Sequence, residues 1–136
     1  MQKLSLKLLI MLVAIFGVSS IAHADTAIMI TSPKDGATVS SPVKVCLAIK
    51  GLEVEPAKKG VNEGKGHHHL LVDVDLPENL KEPIGKDEHH IHMGDGSTCK
   101  ELKLDAGKHS ISALFAKGNH VPYDPAITTK IEITVK

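Results

Sequence analysis

The chain has no arginine and no tryptophan, and its aromatic side chains are two phenylalanines and one tyrosine in 136 residues. Arginine carries the planar fork that grips phosphate or carboxylate at two points. Without it, and without rings for bases to stack on, nucleic-acid binding lacks both its electrostatic and its stacking element. The missing tryptophan also removes the central ring of an antibody-type core. No Gly-x-Ser-x-Gly, His-Glu-x-x-His or Walker pattern occurs. The acidic pairs Asp73-Val74-Asp75 and Asp95-Gly96 lack the spacing of a calcium loop. Beyond residue 24 no stretch is apolar enough to cross a bilayer.

The first 24 residues read as a secretory signal. Lys3 and Lys7 give a positive start, Leu8–Val18 an apolar centre, and Ala22-His23-Ala24 a small-residue cut site. The run is short for a retained anchor, and no cysteine stands at the cut to carry a lipid. Cleavage after Ala24 leaves one domain of 112 residues, 25–136, with 14 lysines against 16 acidic residues and a net charge of −2. Cleavage after Ala22 instead would expose His23, whose amine and ring together can chelate copper. The expected location is periplasmic or secreted. Cys46 and Cys99 both lie in the exported part, where an oxidising compartment favours a disulfide between them; a cysteine metal ligand is the alternative.

Apolar alternation predicts strands. Ile28 and Ile30 mark one over Thr26–Thr31. Val43, Val45, Leu47 and Ile49 alternate with Lys44, Cys46, Ala48 and Lys50, the clearest half-buried strand in the chain. Cys46 falls on the lysine face, so its partner should cross that face or the sheet edge. Further strands are expected at Leu70–Leu76, His90–Met93, Cys99–Leu104, Ser110–Ala116 and Lys130–Lys136. Gly51–Gly66, Glu78–Glu88 and Gly118–Pro125 read as loops. About seven short strands separated by turn residues predict an all-β, antiparallel sandwich with an immunoglobulin-like outline.

Histidine is what the chain has in excess: nine residues. His67-His68-His69 runs straight into Leu70-Leu71-Val72. Glu88-His89-His90-Ile91-His92-Met93 follows, and His109 and His120 come later. In an extended strand side chains alternate faces. His67 and His69 then share one face and His68 takes the other, so the three cannot all bind one ion. The contribution is either the His67/His69 pair or His68 alone. His90 and His92 also share a face, about 7 Å apart and within reach of a common ion. His109 or His120 could complete the set. Imidazole suits several transition metals, copper and zinc among them. Asp73, Asp95 or Asp124 could accept hydrogen bonds that orient the rings.

The residues that carry this pattern resemble a known family. Ser32–Pro42, Gly66–Asp73, His90–Thr98, Gly107–Ser110 and Asn119–Pro125, in this order and spacing, look like DUF4399, bacterial exported proteins of unknown function. The resemblance spans nearly the whole mature chain. It implies that His67, His68, His69, His90, His92, His109 and His120 are the motif histidines, and that His89 is not. Cys46 and Cys99 stand outside the family pattern. Taken together, these residues predict an exported protein binding copper or zinc through clustered histidines, for carriage, buffering or structure, with another periplasmic protein as a possible partner. Two alternatives stay open. In one, a non-enzymatic interaction module uses the histidines as a hydrogen-bond network. In the other, a metal-dependent enzyme keeps an open coordination position.

Overall fold

The computed structural model describes residues 25–136; residues 1–24, where a signal, its alternative cut sites and His23 were expected, lie outside the described residues. Among the described residues there are nine strands: β1 (Ala27–Ser32), β2 (Thr38–Val39), β3 (Val43–Lys50), β4 (Glu53–Val54), β5 (Lys65–Val72), β6 (His90–Met93), β7 (Cys99–Leu102), β8 (Gly107–Ala116) and β9 (Thr128–Val135). They form two sheets in a sandwich-like all-β fold. One has the order β1-β3-β7, the other β2-β9-β8-β5-β4, with β6 also paired to β5. Pairs β4 and β6 share the same edge of β5, β4 along Lys65–Gly66 and β6 along His68–Leu71. Among the described residues no helix is long and apolar enough to cross a membrane.

The expected seven strands are all found, with two differences. First, β2 and β4 are additional, and they pair in parallel with β9 and β5, so the sandwich is not purely antiparallel. Two residues are too few to show a period, which is why alternation does not reveal them. Second, the strand expected at Leu70–Leu76 runs instead from Lys65 to Val72. Asp73 ends it by turning to φ +56°, with its carboxylate accepting a bond from the Ser110 backbone N–H at 2.8 Å. At the other end the histidines are strand residues in full backbone register with β8 and β6.

The core lies between the sheets. Val43, Val45 and Leu47 of β3 meet Leu70 and Val72 of β5, Ile111, Ala113 and Phe115 of β8, and Ile131, Ile133 and Val135 of β9. Each fully buried Val, Leu, Ile or Phe stabilises the fold by about 1.5–3 kcal/mol. Cys46 and Cys99 are direct cross-strand neighbours on β3 and β7 and form a disulfide.

β5 departs from this half-buried pattern: Gly66 through Val72 is buried on both faces. Leu71 and Leu114 are fully buried yet stand outside the inter-sheet cluster. The outer face of β5 and β8 is therefore covered by connecting segments. One bond in that cover links two loops directly, the Ile84 N–H to the His120 carbonyl at 2.9 Å. This covered outer face is where the histidines gather.

Candidate metal centre

Strand alternation divides the histidine triplet. On the inner face His68 lies opposite Phe115 and Met93, and on the outer face His67 lies opposite Ala116 and His69 opposite Leu114 and His92. Three elements then bring four rings together: β5 supplies His67 and His69, β6 supplies His92, and the β8–β9 loop supplies His120. One ring nitrogen from each can be chosen so that all lie within 4.8 Å of one another. His67 Nε2 is 2.9 Å from His69 Nε2 and 3.2 Å from His120 Nδ1.

Backbone geometry sets the two outer rings. His120 occupies a left-handed conformation, φ +67°, and its N–H bonds to the Lys117 carbonyl at 2.8 Å. That turn is pressed against the 3₁₀ turn Ala57–Lys59: a β-carbon at Gly118 would collide with the backbone of Gly60. On β6 the His92 ring lies over Gly94, where a β-carbon would overlap the imidazole. The Gly94 carbonyl accepts from the Ala57 N–H at 2.8 Å. Tyr123 Oη–H bonds to the Lys65 carbonyl at 2.7 Å, tying the loop to the start of β5. The sequence signals for these supports are the spacings His92-x-Gly94 and Gly118-x-His120, which alternation alone does not pick out.

Three rings of the cluster, His67, His69 and His92, favour the neutral form. Burial lowers His67 to about 4, helped by the charges that His92, His120 and His68 would carry. Burial lowers His69 to about 3, with the same kind of help from His67, His92, His120 and His68. His92 is also lowered, by burial first and then by His120 and Lys86, against an opposing pull from Asp95. Neutral imidazole is the form that binds metals. The hydrogen-bonding capacity of the rings is only partly used: His67 Nδ1, His69 Nδ1 and His92 Nε2 are buried without a partner.

The donor set fits a transition ion. Tetrahedral coordination at the usual zinc–imidazole length places ligand nitrogens about 3.3 Å apart, close to the 2.9 and 3.2 Å seen around His67 Nε2. His92 Nε2, unpartnered and buried, is a further free donor. All four ligands are imidazole, a donor suited to both copper and zinc.

The other candidate residues lie elsewhere. His68 is in the core, its ring 5.2 Å from that of Phe115, with both nitrogens unpartnered; burial lowers it to about 4. His90 shares the outer face with His92 by register but donates from Nδ1 to Asp87 at 2.8 Å. His89 donates from Nδ1 to the Val72 carbonyl at 2.9 Å. His109 donates to Asp73 Oδ2 at 2.7 Å and to the Asp105 carbonyl at 2.9 Å. Both partners are acceptors only, so both bonds are made together when the ring carries two protons, and the Asp73 bond first, then the Asp105 carbonyl, raise its pKa. Asp73 thus orients His109 and no ring of the cluster. Asp95 accepts from the Ser97 N–H and reaches His92 only through its charge. Asp124 is exposed and lines a hollow with Tyr123 and Ile127. Larger hollows of 490 and 630 Å³ lie beside His109 and Ile127, but neither gathers metal ligands.

The fold and site thus define a β-sandwich with a four-histidine group on the covered outer face of one sheet. The family model for DUF4399, a domain of unknown function, matches residues 45–136, and the chain belongs to that family. No curated protein matches the chain. Among solved structures, an endo-beta-1,4-mannanase from Thermotoga petrophila aligns at 15% identity with a TM-score of 0.47, over 87% of this chain and 21% of the mannanase. The chain thus spans about a fifth of that enzyme's length.

Proposed function

We propose that this is an exported, periplasmic or secreted protein that binds one copper or zinc ion through His67, His69, His92 and His120, to carry it, buffer it or be stabilised by it. The observation that carries this reading is the convergence of four ring nitrogens within 4.8 Å. Burial, and the charge their neighbours would carry, favour the neutral, metal-binding form of His67, His69 and His92. Export is supported by the character of residues 1–24 and by the Cys46–Cys99 disulfide, which suits an oxidising compartment. In this reading residues 25–136 are the mature, single-domain protein.

The test is elemental analysis of protein purified from the periplasm without a metal-affinity step, followed by calorimetric titration with copper and zinc. One equivalent of metal is expected in the wild type. It should be lost in the His69→Ala/His92→Ala double variant while the strand signature in circular dichroism persists. Only weak, unsaturable binding in the wild type would overturn the proposal. A second reading has its own support: His67 Nε2 lies within hydrogen-bond distance of both His69 and His120, so the rings can act as a network shaping the loops for a protein partner. Under that reading the double variant disorders the 117–121 loop and metal has no effect on either protein.

A further inference from the structure

Four neutral ligands leave the charge of a bound ion uncompensated, and the inference that follows rests on the metal reading above. A partly buried cation needs an opposing charge close by. The ligand group found among the described residues contains no carboxylate. The acidic side chain whose field reaches His92 is Asp95, and Asp95 is exposed and engaged with Ser97.

On the other side of the rings the geometry is open. A 270 Å³ pocket is lined by His69, His92 and His120 together with Ile84, Gly85 and Lys86. His67 is not part of the wall. An ion among the four nitrogens would therefore face this pocket through three of its ligands. Gly85 in the roof is exposed, and a β-carbon there would meet nothing within 4 Å. The loop is nonetheless anchored at the site by the Ile84 N–H bond to the His120 carbonyl. Lys86 stands at the rim. Among the described residues its ammonium has no carboxylate within ion-pair distance, and its charge is felt at His92. A lysine beside a cation site made only of neutral ligands works against a bare ion. It works in favour of an ion that arrives with, or recruits, an anion.

We propose that the metal-loaded protein binds a small exogenous anion, a carboxylate or an inorganic anion, in the pocket between His69, His92, His120 and the loop 84–86, where the anion coordinates the metal and pairs with Lys86. The anion is an exchangeable ligand on the solvent side of the ion. Its charge offsets part of that of the metal and of the lysine.

Azide on the copper(II)-loaded mature protein provides the probe, read through its charge-transfer absorption and the copper paramagnetic resonance spectrum. A saturable azide band is expected. Lys86→Ala and Lys86→Gln should each weaken azide binding about fivefold, as loss of an exposed ion pair would. Displacement of azide by acetate identifies a carboxylate site, and displacement by phosphate identifies an inorganic-anion site. A protein that takes up one copper but whose spectrum azide leaves unchanged overturns the proposal, and so does equal azide affinity in the wild type and both Lys86 variants. Failure to bind either copper or zinc refutes the metal reading itself, and the elemental analysis and titrations detect that separately.

Discussion

At position 68 the chain places a polar ring on the apolar side of β5, with both nitrogens buried and unpaired. A buried polar group without a partner costs about 1–3 kcal/mol. His68→Leu, which keeps an apolar contact with Phe115 and removes both orphan nitrogens, should therefore stabilise the protein by about 1–3 kcal/mol in urea denaturation. Metal affinity should be unchanged, since residue 68 faces away from the cluster. A loss of stability would mean that a partner for His68 exists in solution. Gly94→Ala has the opposite profile. Its β-carbon would occupy the space of the His92 imidazole, so metal affinity should fall about tenfold or more in a competition assay with a chromogenic chelator. The urea midpoint should move little. At this scale the sequence was only partly legible. The period of two separates His67 and His69 from His68 with no further information. It cannot say that Asp87 captures His90 while His92 turns to the cluster, because that choice rests on a hydrogen bond within the preceding loop. His120 was named as one way to complete the set, but alternation could not choose it over His109, because its place depends on Gly118 meeting Gly60.

Strand β5 and the loops that cover it respond to pH in two opposing ways. His67 and His69 are held at about 4 and about 3, against 6.5 when free. Below pH 6.5 the unfolded chain takes up protons that these buried rings refuse, so stability is lost as pH falls from 6.5 toward 3. His109 is raised above 6.5, first by its bond to Asp73 and then by its bond to the Asp105 carbonyl. Its contribution is fully present below pH 6.5 and is lost as pH rises through its raised value. Thermal melts of metal-free protein should thus show a falling melting temperature on the acid side, flattened by His67→Gln/His69→Gln. A smaller fall on the alkaline side should vanish in His109→Gln. An acid limb unaltered in the first variant would show that the cluster is not the acid-labile element. Elements themselves were the most legible level: every strand with apolar alternation was expected close to its observed place. β5 was displaced because three histidines give no apolar signal at its start, and because Val74 extends the apolar pattern past the turn at Asp73.

For the whole molecule, the small sheet and the large one answer to different constraints. The β1-β3-β7 sheet carries the disulfide, whose cysteines are 53 residues apart in sequence. A closed loop of that length stabilises by about 2–4 kcal/mol, chiefly by restricting the unfolded chain. Cys46→Ser/Cys99→Ser should lower the unfolding free energy by about that amount, measured with and without reductant. The four-histidine group is on the other sheet, so metal stoichiometry should not change. Two sheets could be read from strand count and turn spacing. Which sheet carried the site could not, since nothing local says that the outer face of β5 is covered.

The strand that holds His67, His68 and His69 works by parity. Odd positions, 67, 69 and 71, go to the covered outer face, and even positions, 68, 70 and 72, go to the core. Deleting one residue just after the triplet would exchange the two sets, either sending Leu70 and Val72 outward or turning His67 and His69 into the sandwich. Two deleted residues would preserve the assignment and merely shorten the strand. Within β5 the assignment of side chains to faces thus survives a change of length only in even steps.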